Sequence, residues 1–83
     1  MKNYDAFDLK TGQYIKELRQ NKNISQKELG RIIKVRSSTI EKWENGDVKN
    51  LKRSDIQKLA DYFEVSPVTF IGIQNPNNFS KKY

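Results

Sequence analysis

Cysteine and histidine are both absent from this sequence of 83 residues. Without their side chains the chain cannot form disulfides, use a thiolate nucleophile or an imidazole base, or offer the usual zinc ligands. The acidic residues are scattered over predicted helix surfaces, and no glycine-rich phosphate-binding loop is present. These absences argue against an enzyme, and we expect neither a metal nor an organic cofactor.

Long apolar runs are missing as well. No stretch approaches the roughly 18 consecutive apolar residues that mark a membrane-spanning helix. The first ten residues mix Asn, Asp and Lys and do not resemble a signal peptide. The length suits one small domain, with several short helices around a single apolar centre. We therefore expect a cytoplasmic protein.

Positive charge is abundant and unevenly placed. The net charge is +6, and residues 16 to 53 carry eleven Lys or Arg against five Asp or Glu. The charges of the remaining residues cancel, so the whole excess lies in this one segment. Such a segment is typical of a nucleic-acid-binding surface, although small basic domains also carry solvated positive faces without that role.

The segment from Ser25 to Gly46 predicts a helix, a tight turn and a second helix. Ser25 and Glu28 have the spacing of a capping box, which marks the start of the first helix. Leu29, Ile32 and Ile33 then form one apolar stripe at helical spacing.

The second helix of this pair has one apolar face and one polar face. Ile40 and Trp43 lie three residues apart and point inward, and Gly46 is a plausible left-handed end to the helix. Trp43 could instead stack on single-stranded bases, but its spacing from Ile40 favours the core. The opposite face has no apolar residue, and the helix is narrow enough to enter a DNA major groove. It carries Ser37, Ser38, Glu41, Lys42 and Asn45.

These residues resemble the DNA-binding domain of the lambda repressor and Cro family, often called the XRE family. The likeness runs from about Gly12 to about Gly72, roughly three quarters of the chain. It implies an all-α fold, a compact bundle of five short helices that binds double-stranded DNA. The matching motifs are Ser25-Gln26, Glu28-Leu29, Val35, Ser38-Thr39-Ile40 and Glu44-Asn45-Gly46.

The resemblance also implies roles for individual side chains. It implies an ion pair between Arg19 and Glu44 that links the first helix to the end of the reading helix. For Gln26 the resemblance implies a contact to a phosphate, and its position supports this independently, since it begins a helix whose free amides attract anions. The residues expected to read base edges are Arg36, Ser37, Ser38, Glu41 and Lys42. Those expected to bind phosphates are Gln26, Asn45, Lys49, Lys52 and Arg53.

Two positions depart from the family pattern. Lys34 stands where the family usually has glycine, and a left-handed backbone there would cost lysine on the order of 1 kcal/mol. Gly30 replaces the usual alanine, and we expect it to allow close approach of the second helix beneath Trp43.

Outside this segment the boundaries are predicted from caps and turns. We divide the chain into an N-terminal arm (1–10), the DNA-binding domain (11–72) and a C-terminal tail or linker (73–83). Thr11-Gly12 is predicted to start the first helix, which ends near residues 21 to 23.

Two further helices are predicted after the loop that follows Gly46. Ser54 is predicted to cap one, and Ser66-Pro67 to begin the other. Leu51 is the one side chain of the loop that we expect to be buried.

The sequence therefore predicts a transcriptional regulator of the repressing kind that binds a palindromic operator as a homodimer. One reading helix per chain requires two copies on half-sites about 34 Å apart. An alternative is an antitoxin-like or protein-interaction module that uses the same fold, with DNA binding secondary.

Overall fold

The computed structural model describes residues 6 to 74, with side chains from residue 8 to residue 70. This part of the chain contains five helices and no strand, which confirms the predicted all-α bundle. The helices are α1 (Ala6–Asn21), α2 (Gln26–Ile33), α3 (Ser37–Glu44), α4 (Arg53–Phe63) and α5 (Pro67–Gln74).

The first helix begins earlier than predicted, because Thr11-Gly12 is a packing site and not a helix start. Helix α1 begins at Ala6, so the last five residues assigned to the arm are helical. Thr11 is fully buried, and a Cβ added to Gly12 would lie 2.2 Å from the backbone oxygen of Trp43. The small residues let α1 approach the end of α3, which a sequence pattern cannot distinguish from a cap.

Helix α2 begins and ends largely as predicted. The amide of Glu28 donates to the Ser25 hydroxyl at 3.0 Å, which is the serine half of the expected capping box. After Ile33 the chain turns at Lys34, whose φ of 66° and ψ of 47° are left-handed. Val35 then packs against the core between the two helices.

Gly30 allows the predicted close approach of the second helix, but at the start of α3 and not beneath Trp43. A Cβ at Gly30 would lie 2.6 Å from the backbone oxygen of Val35 and 3.3 Å from the amide nitrogen of Ser37. The turn and the start of α3 therefore pass over Gly30, whereas the backbone oxygen of Trp43 lies against Gly12.

Gly46 ends α3 in the expected way. Its φ is 104°, and its amide donates to the carbonyl of Trp43 at 3.0 Å. The amide of Asp47 reaches back to the carbonyl of Lys42 at 2.8 Å. These two bonds form a Schellman motif, which satisfies the last carbonyls of α3.

The predictions for the loop and for the start of α4 were wrong in detail. Val48 is the buried loop residue, and Leu51 is only half-buried against the core. Helix α4 begins at Arg53 without a Ser54 cap, because Asp55 accepts a hydrogen bond from the amide of Lys52 at 3.1 Å. A carboxylate at the third helical position can accept a hydrogen bond from the free amide at the helix start, in place of a capping serine.

Helix α5 begins at Pro67, as predicted, and continues past Gly72 to Gln74. Phe70 is fully buried, and its ring meets that of Tyr14 edge-on with centroids 5.0 Å apart. The side chain of Ile71 and the predicted tail beyond Gln74 lie outside the described residues.

One apolar core holds the five helices together. Every helix contributes to it, so the core fixes how α2 and α3 stand relative to α1 and α4. The buried apolar residues are Ile15, Leu29, Ile33, Ile40, Trp43, Val48, Ile56, Leu59, Ala60, Phe63 and Phe70.

Candidate nucleic-acid interface

Helix α3 presents a continuous polar face to solvent. Ile40 and Trp43 on its inner side are almost completely buried, as their spacing predicted. The outer side is entirely exposed and has no apolar side chain. The polar side chains of this face, and those of the residues just before and just after the helix, are all exposed: Arg36, Ser37, Ser38, Glu41, Lys42 and Asn45.

The chemistry of this face suits DNA. Lys42 and Arg36 can donate to guanine N7 and O6, and the two serines can donate or accept. Arg36 immediately precedes the helix and has an extended backbone, with φ of −75° and ψ of 153°. The N-terminal end of α3, where recognition helices commonly contact bases, therefore carries one cation and two hydroxyls.

An ion-pair network fixes the end of α3 against α1 and α2. Arg19 Nε donates to Glu44 Oε2 at 2.6 Å, and Arg19 Nη2 donates to Glu44 Oε1 at 3.1 Å. The side chains are only 12% and 3% exposed. A third guanidinium nitrogen, Nη1, donates to the backbone oxygen of Ile24 at 2.8 Å, so Arg19 also holds the loop before α2.

Gln26 is a member of this network, which the sequence prediction did not include. Its Nε2 donates to Glu44 Oε1 at 3.0 Å, so the first residue of α2 is tied to the last residue of α3. An amide nitrogen carries two hydrogens, so one remains for a phosphate oxygen. The signal available in the sequence was the position of Gln26 at a helix start, which indicates an anion site and does not reveal a carboxylate partner.

Three cations follow α3. Lys49, Lys52 and Arg53 are all exposed, in the loop after Gly46 and at the start of α4. Because Val48 is buried and Leu51 half-buried, the backbone of this loop is anchored to the core while its cations face solvent. This arrangement suits binding to phosphates, which need charge but little directional precision.

The part of the chain that the structure describes contains no group of three or more Asp or Glu residues arranged to hold a metal ion. Nor does any helix in it have the length and apolar character needed to cross a membrane.

Comparison with known families shows which family this fold belongs to. A family model described as helix-turn-helix matches residues 15–70, about two thirds of the chain. This chain belongs to the lambda repressor/Cro-like helix-turn-helix family. A search of curated proteins finds no significant match. The family is one of DNA-binding regulators and is generally non-enzymatic. The chain is therefore a helix-turn-helix regulator with DNA as a partner, and α2 and α3 are its helix-turn-helix pair.

Proposed function

We propose that this protein is a transcriptional repressor that binds a palindromic operator as a homodimer, with α3 reading bases in the major groove. The observation that carries the proposal is the division of α3 into two faces. Its apolar side chains are buried, and every side chain of its outer face is exposed and able to form hydrogen bonds. The exposed row combines hydroxyl groups, cations and a carboxylate, which match the donors and acceptors on base edges.

Two sets of side chains have different tasks in this proposal. Arg36, Ser37, Ser38, Glu41 and Lys42 read base edges. Gln26, Asn45, Lys49, Lys52 and Arg53 bind phosphates and fix the register of α3. The first set determines which sequence is bound, and the second determines how strongly any DNA is bound.

The Arg19–Glu44 pair serves this function through geometry. Glu44 ends α3, and Gln26, which begins α2, donates to the same carboxylate at 3.0 Å. The two proposed phosphate contacts at Gln26 and Asn45 are therefore held at a fixed spacing before DNA arrives. Such preorganisation lowers the entropic cost of binding.

Dimerisation follows from the size of the reading helix. Its eight residues span only about 12 Å, which covers a few base pairs. Two copies on half-sites about 34 Å apart would double the recognised sequence and match the symmetry of a palindrome. Binding there excludes polymerase from the promoter, and the protein acts in the cytoplasm on the nucleoid.

Selection from a randomised duplex library tests this function. The parent is run beside Ser38→Ala and Lys42→Ala, with Lys10→Ala as a control for loss of an exposed cation on α1. We expect the parent and the control to recover one palindrome with half-sites about one helical turn apart. The Ser38 and Lys42 variants should recover weaker or altered sites while their melting temperatures stay unchanged.

Other results would contradict the proposal in specific ways. Recovery of a single half-site would contradict the dimer. Retention of DNA with no enriched sequence would reduce the protein to a nonspecific binder. Indifference of binding to Lys42→Ala would favour a protein-interaction module with DNA secondary.

A further inference from the structure

Glu41 differs from the other acids near the DNA-binding surface because it has no partner. Within the described residues its carboxylate forms neither an ion pair nor a hydrogen bond. Every other acid between residues 17 and 61 has an interaction partner: Glu17 has Gln13, Glu28 has Arg31, Glu44 has Arg19, Asp55 has the Lys52 amide, Asp61 has Gln57, and Asp47 has a contact as well.

No cation lies three or four positions from Glu41 along its helix. Residues three and four positions away lie on the same helix face. For Glu41 these are Ser37, Ser38, Glu44 and Asn45, none of which is positively charged. Glu41 therefore stands exposed in the middle of the row that is proposed to enter the groove.

A carboxylate at this place weakens nonspecific binding. Phosphates repel it, and most groups on the major-groove edge are acceptors, which repel it too. The exceptions are the exocyclic amines of cytosine and adenine, which can donate to a carboxylate. An acid on a reading helix therefore lowers the affinity for DNA, except where a base pair offers the carboxylate a hydrogen-bond donor.

We propose that Glu41 is a specificity-determining residue that accepts a hydrogen bond from cytosine N4 at one position of each half-site. The proposal rests on the function proposed above and names the base class that this side chain selects. Cytosine is favoured over adenine because adenine places its N7 acceptor beside the N6 amine, whereas cytosine offers only the N4 donor in the groove.

Glu41 discriminates between base pairs mainly by weakening the binding of the wrong ones. Thymine and guanine present acceptors at the corresponding place, and their contact with an unpaired carboxylate raises the free energy of the wrong complex. Arg36 and Lys42 supply attraction to the helix as a whole, so the face combines attraction to DNA with rejection of wrong sequences.

The test compares E41Q with E64Q. Both variants remove one negative charge from an exposed glutamate that has no partner within the described residues, but Glu64 follows α4 and lies off the reading face. Each protein is used to select bound DNA from the randomised duplex library. The site recovered by the parent is then made with every base pair at each position, and dissociation constants are measured for all three proteins. Glu41→Ala is run as a second variant, and thermal unfolding confirms that each protein is folded.

We expect the parent and E64Q to prefer cytosine at one position of each half-site by about tenfold or more. E41Q and Glu41→Ala should lose most of this preference and bind random duplexes more tightly than E64Q does. The same base preferences in the parent and in both Glu41 variants would overturn the proposal and leave the sequence-specific function intact. A parent that enriches no sequence would overturn the proposed function and the role of Glu41 together.

Discussion

Replacement of Lys34 by glycine should stabilise the fold. Lys34 has φ of 66° and ψ of 47° in the turn between α2 and α3, a conformation that costs a residue with a Cβ about 1 to 2 kcal/mol. Its side chain is exposed and forms no ion pair or hydrogen bond within the described residues, so its removal loses no contact. The amides of Lys34 and Val35 both donate to the carbonyl of Gly30, and glycine retains both bonds.

The expected gain is smaller than the conformational cost, because glycine also gives the unfolded chain about 0.4 to 1 kcal/mol more entropy. With the middle of each range, a net increase of about 0.8 kcal/mol in the free energy of unfolding remains. For a domain of this size that raises the melting temperature by roughly 2 to 8 °C.

Thermal and denaturant unfolding of Lys34→Gly beside the parent checks this prediction. Lys27→Gly is the matched control, because it makes the same change at an exposed residue within helix α2. There glycine should lower the free energy of unfolding by about 1 kcal/mol. An unchanged or lower melting temperature for Lys34→Gly would refute the reasoning, since it would mean that the left-handed conformation costs lysine nothing here.

Three further results are expected. Glu44→Ala should lower the free energy of unfolding by roughly 3 kcal/mol, because Arg19 is left largely buried without its carboxylate. Arg31→Ala breaks an exposed ion pair and should lower it by under about 0.5 kcal/mol. Equal losses from the two variants would contradict this prediction. Gly12→Ala should cost about 1 to 3 kcal/mol in chemical denaturation, since its Cβ would lie 2.2 Å from a backbone oxygen, and an unchanged midpoint would refute the close approach. If Lys49, Lys52 and Arg53 of both protomers neutralise phosphates, binding titrations should give a slope of log K against log salt near −5; a slope near zero would rule out the phosphate contacts.

Much of the fold could be predicted because local and tertiary signals agree in the central segment. Ser25 caps the start of α2, Ile40 and Trp43 face inward, and Gly46 follows the end of α3 with a left-handed backbone, as their spacing indicated. In each case one residue type has one economical role, such as a left-handed glycine after a helix.

The errors came from residues with two possible roles. Thr11-Gly12 is a residue pair typical of a helix start, yet both residues are buried within α1, and Gly12 lies against the end of α3. Ser54 has the composition of a cap, yet Asp55 makes the capping bond from inside the helix. Composition gives the candidates, and only tertiary packing decides between them.

The candidate site shows the same division. The exposure of Ser37, Ser38 and Lys42 follows from helical periodicity alone. The bond from Gln26 to Glu44 joins residues 18 positions apart, so no local pattern could reveal it. The base that each side chain contacts depends on how α3 lies in the groove, which the protein sequence does not encode by itself.

The central claim is that the outer face of α3 binds DNA, and a nuclear magnetic resonance titration tests it most directly. Backbone amide shifts are followed as a duplex of about two helical turns is added at low salt. The account predicts the largest changes at residues 36 to 45, in the first turn of α2 and at residues 49 to 53. Unchanged shifts at 36 to 45, with the largest changes on the exposed side of α1 or α5, would contradict it.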